Sequence, residues 1–401
     1  MKNRDDCMAL ELGRQQERLK YIRTTTARET YCDFPPRRVF FEPTNFCNVN
    51  CIHCVHDGQM TRPKGFIDVA LVEKVMKEIK HLNRCSEICL FQQGEPLLHP
   101  QIMDIIYICG TKYDFFTKMN TNGLALTRKM AEGLLRNNLD YLVFSLDAIT
   151  PETFKRIKRR DSFTKVINNI LDYLEVWGEL NTGQERNYFA CDVNVLEEDA
   201  NRHEIPHFKG LLKKLPIGHV SVYRMHNFTG SVQEVNEQMG DKWSLPREQW
   251  PSCNSPWDVV GIRWNGDVVS CIYDYDSKYV IGNVNEEPLL DIWNGERMQA
   301  FRQGIIDRDY TKIECNGTLC STCSVMWDEN YQLPNDFHAE IKRMEKYLVA
   351  AIDRVARRYE RTEALLEQHR FLKESRNEWL EELEATARKV DENLLQEIKD
   401  A

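Results

Sequence analysis

Residues 39–54 read VFFEPTNFCNVNCIHC, an apolar β-type run that leads directly into three closely spaced cysteines. Cys47, Cys51 and Cys54 follow one another in a C-x3-C-x2-C pattern. Three thiolates gathered in so short a stretch bind a metal tightly, and in a protein without a disulfide framework they usually do so. The segment therefore predicts a strand whose following loop carries a metal centre.

Further along the chain, β-type runs alternate with amphipathic helical stretches. The predicted strands are Val39–Thr44, Glu87–Phe91, Phe115–Met119, Tyr141–Leu146, Phe189–Val195 and His219–Arg224. The predicted helices fall near 68–82, 100–110, 127–137, 150–175 and 201–214. This alternation predicts an α/β fold of parallel βαβ units with right-handed crossovers. Periodicity alone leaves open whether the sheet closes partly into a barrel or stays open.

Polar residues stand where each predicted strand ends. Ligands of parallel α/β folds bind at the carboxyl ends of the strands, so these residues are expected to share one site. They are the cysteine triplet, then Gln93, Gly94 and Glu95, then Thr121 and Asn122, then Ser145 and Asp147, then Asn194, and finally Arg224 with His226.

The triplet has two interpretations. A closed zinc site takes four ligands, and the nearby candidates for the fourth are His53 and His56. His53 lies between two of the cysteines and is poorly placed to reach the same metal face. A three-cysteine cluster with one open iron is favoured, because a catalytic centre needs an open coordination position.

These motifs resemble those of the radical S-adenosylmethionine (SAM) superfamily. The resemblance implies a partial (β/α)6 TIM-type barrel and a [4Fe–4S] cluster on Cys47, Cys51 and Cys54, with SAM on the fourth iron. It further implies reductive cleavage of SAM to a 5′-deoxyadenosyl radical, which abstracts a hydrogen atom from the substrate. A reductant such as flavodoxin or ferredoxin would supply the electron.

The same resemblance assigns SAM-binding roles. Glu95 would accept hydrogen bonds from the SAM amino group, in a Gly-Gly-Glu-Pro-like element where Gln93 replaces the first glycine. Asp147 would alternatively cap the helix near Pro151, and Asn194 would alternatively be an ordinary strand-end residue. The full set implied to bind SAM is His53, Gln93, Gly94, Glu95, Thr121, Asn122, Ser145, Asp147 and Asn194.

A second cysteine group follows after residue 250. It resembles the SPASM or twitch domains of radical SAM enzymes, which hold auxiliary iron–sulfur clusters, and tetrathiolate zinc is the alternative. Too few cysteines are present for two such clusters, so we expect one, of the [4Fe–4S] type, with Cys315 either replacing a ligand or lying nearby. The expected ligands are Cys253, Cys271, Cys320 and Cys323.

The resemblance leads to a radical SAM oxidoreductase that oxidises or epimerises a small metabolite such as a sugar or aminocyclitol. Asp274 is the candidate to deprotonate a substrate hydroxyl, with a turn-forming role as the alternative. A maturase of ribosomally made peptides is the second interpretation. A non-catalytic zinc scaffold is the third.

The remaining sequence sets broader expectations. The net charge of −9 disfavours nucleic acid as a partner, and we interpret the basic run at 155–160 as a solvated helix face. Without a membrane span or a signal peptide, the protein is expected in the cytoplasm. The cysteines outside both groups are interpreted as small buried hydrophobes. They are Cys7, Cys32, Cys85, Cys89, Cys109 and Cys191.

We divide the chain into four parts: a helical leader (1–37), a radical SAM partial barrel (38–245), a SPASM- or twitch-type domain (246–330) and a helical extension (331–401). The extension lacks Gly and Pro after residue 334 and has near-heptad apolar spacing. This favours a coiled-coil-like helix that dimerises the protein, or a helix packed on its own domain.

Overall fold

The computed structural model describes residues 17–56, 58–82, 86–181, 191–310, 319–328, 332–333, 342 and 366–393. One sheet runs through this part of the chain, with the strand order β6-β5-β4-β3-β2-β1-β7-β8-β9. The strands are β1 Arg38–Phe41, β2 Glu87–Leu90, β3 Phe116–Thr121, β4 Tyr141–Ser145, β5 Asp192–Glu197, β6 Val220–Arg224, β7 Val259–Ile262, β8 Asp267–Val269 and β9 Val280–Asn283.

The described helices are α1 (17–26), α2 Val69–Ile79, α3 Ile102–Ile106, α4 Arg128–Arg136, α5 Pro151–Lys158, α6 Phe163–Asn181, α7 Ile205–Leu212, α8 Gln233–Met239, α9 Leu289–Trp293, α10 Glu296–Asp307 and α11 (366–393). All six predicted strands are confirmed, as are the helices predicted near 68–82, 100–110, 127–137 and 201–214, although 189–190 lie outside the described residues. The single helix predicted over 150–175 is wrong. Arg159, with a φ of 52°, takes the left-handed conformation and ends α5 before α6 begins.

Strands β1 to β6 are parallel, and each pairs with the next strand in the chain. Right-handed crossovers that always advance in one direction place every helix on the same face and curl the sheet around the other. The side chains divide accordingly. Val39 and Phe41 join the large core under the helices, whereas Phe40, Cys89 and Val259 form a separate small cluster. The fold is therefore the partial barrel rather than an open wound sheet.

The sheet does not stop at the predicted boundary between 245 and 246. Strand β7 pairs in parallel with β1, and the hairpin of β8 and β9 extends the sheet further. Asp258 precedes β7 and pairs with both Arg37 and Arg38 at the start of β1. The region after β6 is thus joined to the barrel by backbone hydrogen bonds and by ion pairs.

Helix α11 packs back onto its own barrel. Trp379 is buried and donates from Nε1 to the carbonyl of Leu211 on α7 (3.1 Å), while Arg376 bonds Asp172 and Glu175 of α6. The second arrangement considered for the extension is therefore present in 366–393. A homodimer through the extension stays a prediction, and residues 343–365 lie outside the described part. None of the helices in that part is long and apolar enough to cross a membrane.

Candidate functional site

The loop after β2 lies directly against the backbone that leads into the cysteine triplet. Gly94 has a φ of 107°, and a Cβ atom there would stand 2.4 Å from the carbonyl oxygen of Thr44. The backbone N–H of Glu95 donates to the carbonyl of Phe46 at 2.8 Å. Only glycine combines this positive φ with so close an approach, and the contact fixes the direction in which the chain enters Cys47.

Glu95 joins the ends of β2 and β3. Its buried carboxylate accepts hydrogen bonds from the Thr121 hydroxyl (2.7 Å) and from the backbone N–H of Asn122 (2.8 Å). Burial raises the pKa of Glu95, although these bonds act in the opposite direction. Asn122 in turn donates to Asn48 (2.8 Å) and lies 3.9 Å from the sulfur of Cys47. The second and third predicted strand-end motifs therefore meet at the cysteine loop.

The three thiols of the loop lie close enough to influence one another. Burial raises the pKa of Cys47 to about 12 and that of Cys54 to about 11, and neighbouring cysteines of the triplet add to both shifts. Burial also acts to raise the pKa of Cys51, but Lys158 and His53 outweigh it, so the net shift is downward. A cluster bound by these cysteines would hold all three as thiolates, so loading the loop would release protons.

A buried pair of charges supports the loop from beneath. Asp147, with a φ of 60°, pairs with Lys158 and accepts from the backbone N–H of Leu196 (2.7 Å). Burial acts to raise the pKa of Asp147, but the positive charges of Lys158 and His53 outweigh this effect, so the net shift is downward. Asp147 does not cap α5, because Thr150 occupies the N-cap and accepts from the N–H of Thr153.

His53 contacts both Glu198 and one cysteine of the triplet. Its Nδ1 lies 2.6 Å from a carboxylate oxygen of Glu198, and its side chain also hydrogen-bonds Cys51. Burial lowers the pKa of His53, but Cys51 and Glu198 raise it to about 10. These contacts make His53 a link between the loop and the segment after β5.

The inner face of the barrel carries uncharged polar groups near the strand ends. Ser145, Asn194 and Ser221 stand side by side in the register of β4, β5 and β6. Their neighbours Phe144 and Val193 belong to the core under the helices, so alternation directs the polar side chains inward. On β3 the Oδ1 atom of Asn120 is buried without a hydrogen-bond partner among the described residues.

The second cysteine group surrounds a cavity. Cys253, Cys271, Cys320 and Cys323 all line it, although they come from three separate segments. Burial raises the pKa of Cys253 to about 12 and that of Cys323 to about 11. Among the described residues, no three metal-ligating side chains converge on one point as in a mononuclear site. Each cysteine of an iron–sulfur cluster binds a different iron, so its ligands need not converge in that way.

The loop after β6 positions two of these cysteines. The backbone N–H of Asn227 donates to the Ser324 hydroxyl (2.9 Å), and its side chain exchanges bonds with Thr322 and Ser324. Phe228 and Thr229 both have positive φ values in this loop. The Cys320 turn is therefore held against the mouth of the barrel.

Asp274 forms a turn. Its two carboxylate oxygens accept from the backbone N–H groups of Lys278 (2.8 Å) and Tyr279 (2.8 Å), and the side chain is buried. These contacts are the ones expected of a turn-forming residue. A catalytic role for Asp274 stays a prediction. Cys315, Cys7 and Cys85 lie outside the described residues. Cys32, Cys89, Cys109 and Cys191 are buried, as expected.

Comparison with known proteins accounts for this arrangement. Residues 41–180 match the family model of the radical SAM superfamily, and residues 253–335 match the model of an iron–sulfur cluster-binding domain, SPASM. The chain belongs to the radical SAM superfamily. The matched ranges contain the two cysteine groups, and together they span more than half of the chain.

Similar radical SAM proteins have several functions. The chain is 26% identical, over 71% of its length and 86% of the relative, to a tungsten-containing aldehyde ferredoxin oxidoreductase cofactor-modifying protein of Pyrococcus furiosus. It is 22% identical, over 72% of its length and 94% of the relative, to an S-adenosyl-L-methionine-dependent 2-deoxy-scyllo-inosamine dehydrogenase of Niallia circulans. The fold is similar to that of Streptococcus suis SuiB bound to precursor peptide SuiA, with a TM-score of 0.51, 17% identity and coverage of 78% and 74% of the two chains.

Membership of the radical SAM superfamily implies SAM and a [4Fe–4S] cluster, and the SPASM domain implies an auxiliary iron–sulfur cluster. The donor sets fit these groups. One loop offers three thiols, one fewer than the irons of a [4Fe–4S] cluster, whereas the cavity after β6 offers four thiols. The first set would leave one iron without a cysteine, as a catalytic cluster requires, whereas the second set would give every iron a cysteine.

Sequence reasoning missed the buried cations that hold these sites. Lys158 was grouped with a solvated basic face, yet it is 2% exposed. Arg263, also buried, donates to the side chains of Gln92 and Gln93 (both 2.5 Å) and to the carbonyl of Asp274. Gln93 also donates to the carbonyl of Ile272 (3.3 Å). The departure of Gln93 from the family motif was the one signal available for this second network.

Proposed function

We propose that this radical SAM enzyme oxidises a small, neutral, hydroxyl-bearing metabolite, such as a sugar or aminocyclitol. One observation carries the proposal. Ile272, next to the cavity-lining Cys271, packs with Phe40, Cys89 and Phe91 in the cluster on the inner face of the barrel. A substrate held in the barrel would therefore lie between the cysteine loop and the four-cysteine cavity.

The chain's own residues divide into positioning and binding roles. We assign Cys47, Cys51 and Cys54 to the SAM-binding cluster, and Cys253, Cys271, Cys320 and Cys323 to the auxiliary cluster. Glu95, Asn122, Ser145 and Asn194 are assigned to SAM. When bound, these cofactors supply a hydrogen-abstracting radical and an electron acceptor.

Two features of the barrel interior favour a neutral substrate. The unpartnered Oδ1 of Asn120 offers an acceptor to a substrate hydroxyl, and Ser221 offers a second polar group. Phe40 and Phe91 pack edge to face (5.4 Å between ring centroids) and add uncharged, apolar surface to the inner face of the barrel. A relative named for an inosamine substrate supports the same substrate class.

The test is anaerobic turnover of iron-reconstituted protein with SAM, dithionite and ring-deuterated aminocyclitols or sugars. We expect deuterium in 5′-deoxyadenosine and a ketone product. A Cys271→Ala variant should still cleave SAM but lose the oxidised product, whereas Cys51→Ala should lose both. Cys109→Ala, a buried cysteine outside both groups, is the matched control. Formation of 5′-deoxyadenosine by the Cys51→Ala variant would contradict the assignment of the catalytic cluster.

A peptide substrate is the second candidate, and the edge of the sheet favours it. Strand β6 is the terminal strand, and its Tyr223 is 54% exposed. An extended peptide can add to such an edge through backbone hydrogen bonds. Deuterium transfer from a labelled precursor peptide, without transfer from any sugar or aminocyclitol, would select this candidate. Zinc in place of iron in protein purified without oxygen would exclude both.

A further inference from the structure

The end of α5 forms the outer wall of the cysteine loop. The backbone N–H groups of Asn50 and Ile52 donate to the carbonyls of Lys158 (3.2 Å) and Ile157 (3.0 Å). Arg160 donates from Nε to the carbonyl of Asn48 at 2.8 Å. Three hydrogen bonds therefore join the stretch 157–160 to residues 48–52 of the cysteine loop.

The outward side of the same stretch is strongly basic. Ile157 and Lys158 point inward, whereas Lys155, Arg156, Arg159 and Arg160 are all exposed. The acidic groups nearby along the chain are Glu152, at the start of α5, and Asp161, which pairs with Lys155 (3.1 Å). Lys155, Arg156, Arg159 and Arg160 carry four positive charges against the two negative charges of Glu152 and Asp161, a net of +2 on a chain whose net charge is −9.

An apolar side chain completes this surface. Ile52 lies between Cys51 and His53 in the cysteine loop and is 41% exposed. We call the surface of Ile52, Lys155, Arg156, Arg159 and Arg160 the basic rim. An apolar centre beside a charged margin is typical of protein interfaces, and the charges speed the encounter with an oppositely charged partner.

We propose that the basic rim docks an acidic electron-transfer protein, which delivers one electron to the cluster held by the loop directly behind it. The inference rests on the proposed function, because SAM cleavage consumes one electron that the chain must receive from outside. The reduced carrier loses that electron, the cluster gains it, and no covalent bond of either protein forms or breaks. Charge complementarity over the loop selects an acidic carrier.

The test compares two reductants in the variant K155E/R156E. These side chains are exposed and, unlike Lys158 and Arg160, do not bond the cysteine loop. With reduced flavodoxin at low salt, we expect 5′-deoxyadenosine formation to slow about tenfold or more, as for loss of electrostatic steering. With dithionite, a small reductant that needs no docking surface, the rate should stay within about twofold of the parent, a difference too small to reflect lost docking.

The matched control is K77E/K80E, which makes the same charge change at exposed positions on and just after α2. It should respond to flavodoxin as the parent chain does. Added salt should slow the flavodoxin-driven reaction of the parent and leave K155E/R156E little changed.

Each other outcome overturns the inference or the function beneath it. Equal flavodoxin-driven rates in the parent and K155E/R156E would show that the rim is not the docking surface. Failure of both flavodoxin and an acidic ferredoxin to drive the parent would do the same, as would loss of the dithionite reaction in K155E/R156E alone. Salt-sensitive RNA binding lost in that variant would assign the rim to nucleic acid. Absence of SAM cleavage by the parent with dithionite would instead refute the proposed function.

Discussion

Gly94 determines how closely the loop after β2 can approach the cysteine loop. In a Gly94→Ala variant the new methyl group would meet the carbonyl oxygen of Thr44, and the positive φ adds strain. We expect the cysteine loop to shift and the iron content to fall from about eight to about four per chain, as one of two four-iron clusters is lost.

Iron and labile sulfide analysis after anaerobic reconstitution measures this effect. Gly210→Ala is the matched control, because a Cβ atom there meets nothing within 4 Å. An unchanged iron content in Gly94→Ala would show that the close contact is not needed to shape the loop.

Gln93 accepts a hydrogen bond from the buried guanidinium of Arg263. Its side chain accepts from Arg263 and donates to the carbonyl of Ile272, so it joins the motif beside Glu95 to the strand end that carries Cys271. Gln93→Met keeps the length of the side chain but leaves Arg263 short of an acceptor. We expect the free energy of unfolding to fall by about 1–3 kcal/mol. Urea unfolding of the parent and the variant measures it, and a change below about 0.5 kcal/mol, as for ordinary surface positions, would contradict the role.

At the scale of elements, Asp258 ties β7 to β1. Arg37 and Arg38 hold its pKa well below the usual range, against the effect of burial. The side chains of the two arginines are 29% and 36% exposed, so Asp258→Asn should cost less than the roughly 3–5 kcal/mol of a fully buried pair.

The same contact makes stability depend on pH. A carboxyl whose folded pKa is depressed stabilises the protein above its unfolded pKa of about 3.9 and loses that contribution as the pH falls. The difference in free energy of unfolding between the parent and Asp258→Asn should therefore become smaller below about pH 4. Urea unfolding of cluster-free protein tests this, since acid releases iron from clusters. If the difference in free energy of unfolding stayed constant down to pH 3, about one unit lower, Asp258 would not be the source of this pH dependence.

Helix α11 contributes to the core as an element of the same barrel. Leu383 is buried, whereas Glu384 beside it is exposed. Leu383→Ala should lower the free energy of unfolding by about 2–5 kcal/mol, through lost burial and the cavity left behind. Glu384→Ala should have an effect within about 0.5 kcal/mol. Equal effects of the two substitutions would mean that α11 does not pack on α6 and α7.

At the scale of the whole molecule, the two cysteine groups are expected to bind iron independently. Combined alanine substitution of Cys47, Cys51 and Cys54 should leave about four iron per chain, as should combined substitution of Cys253, Cys271, Cys320 and Cys323. Only the second variant should still cleave SAM. Complete loss of iron in either variant would show that one site is needed to fold the other.

The sequence by itself determined the alternation of strands and helices and the cysteines that stand at their ends. Local periodicity and short spacings carry that information, as in the C-x3-C-x2-C loop after β1. It also determined that Glu95 and Asn122 would meet at one edge of the sheet, because the ends of parallel strands share an edge.

Only the tertiary structure decided how the buried charges are used. Lys158 belongs to a basic run, and nothing local distinguishes it from Arg156, yet it turns inward to Asp147 while Arg156 faces solvent. Arg263 reaches Gln93 across 170 residues of chain. Such partners are brought together by packing between distant segments, and a buried ion pair leaves no periodic pattern in the sequence.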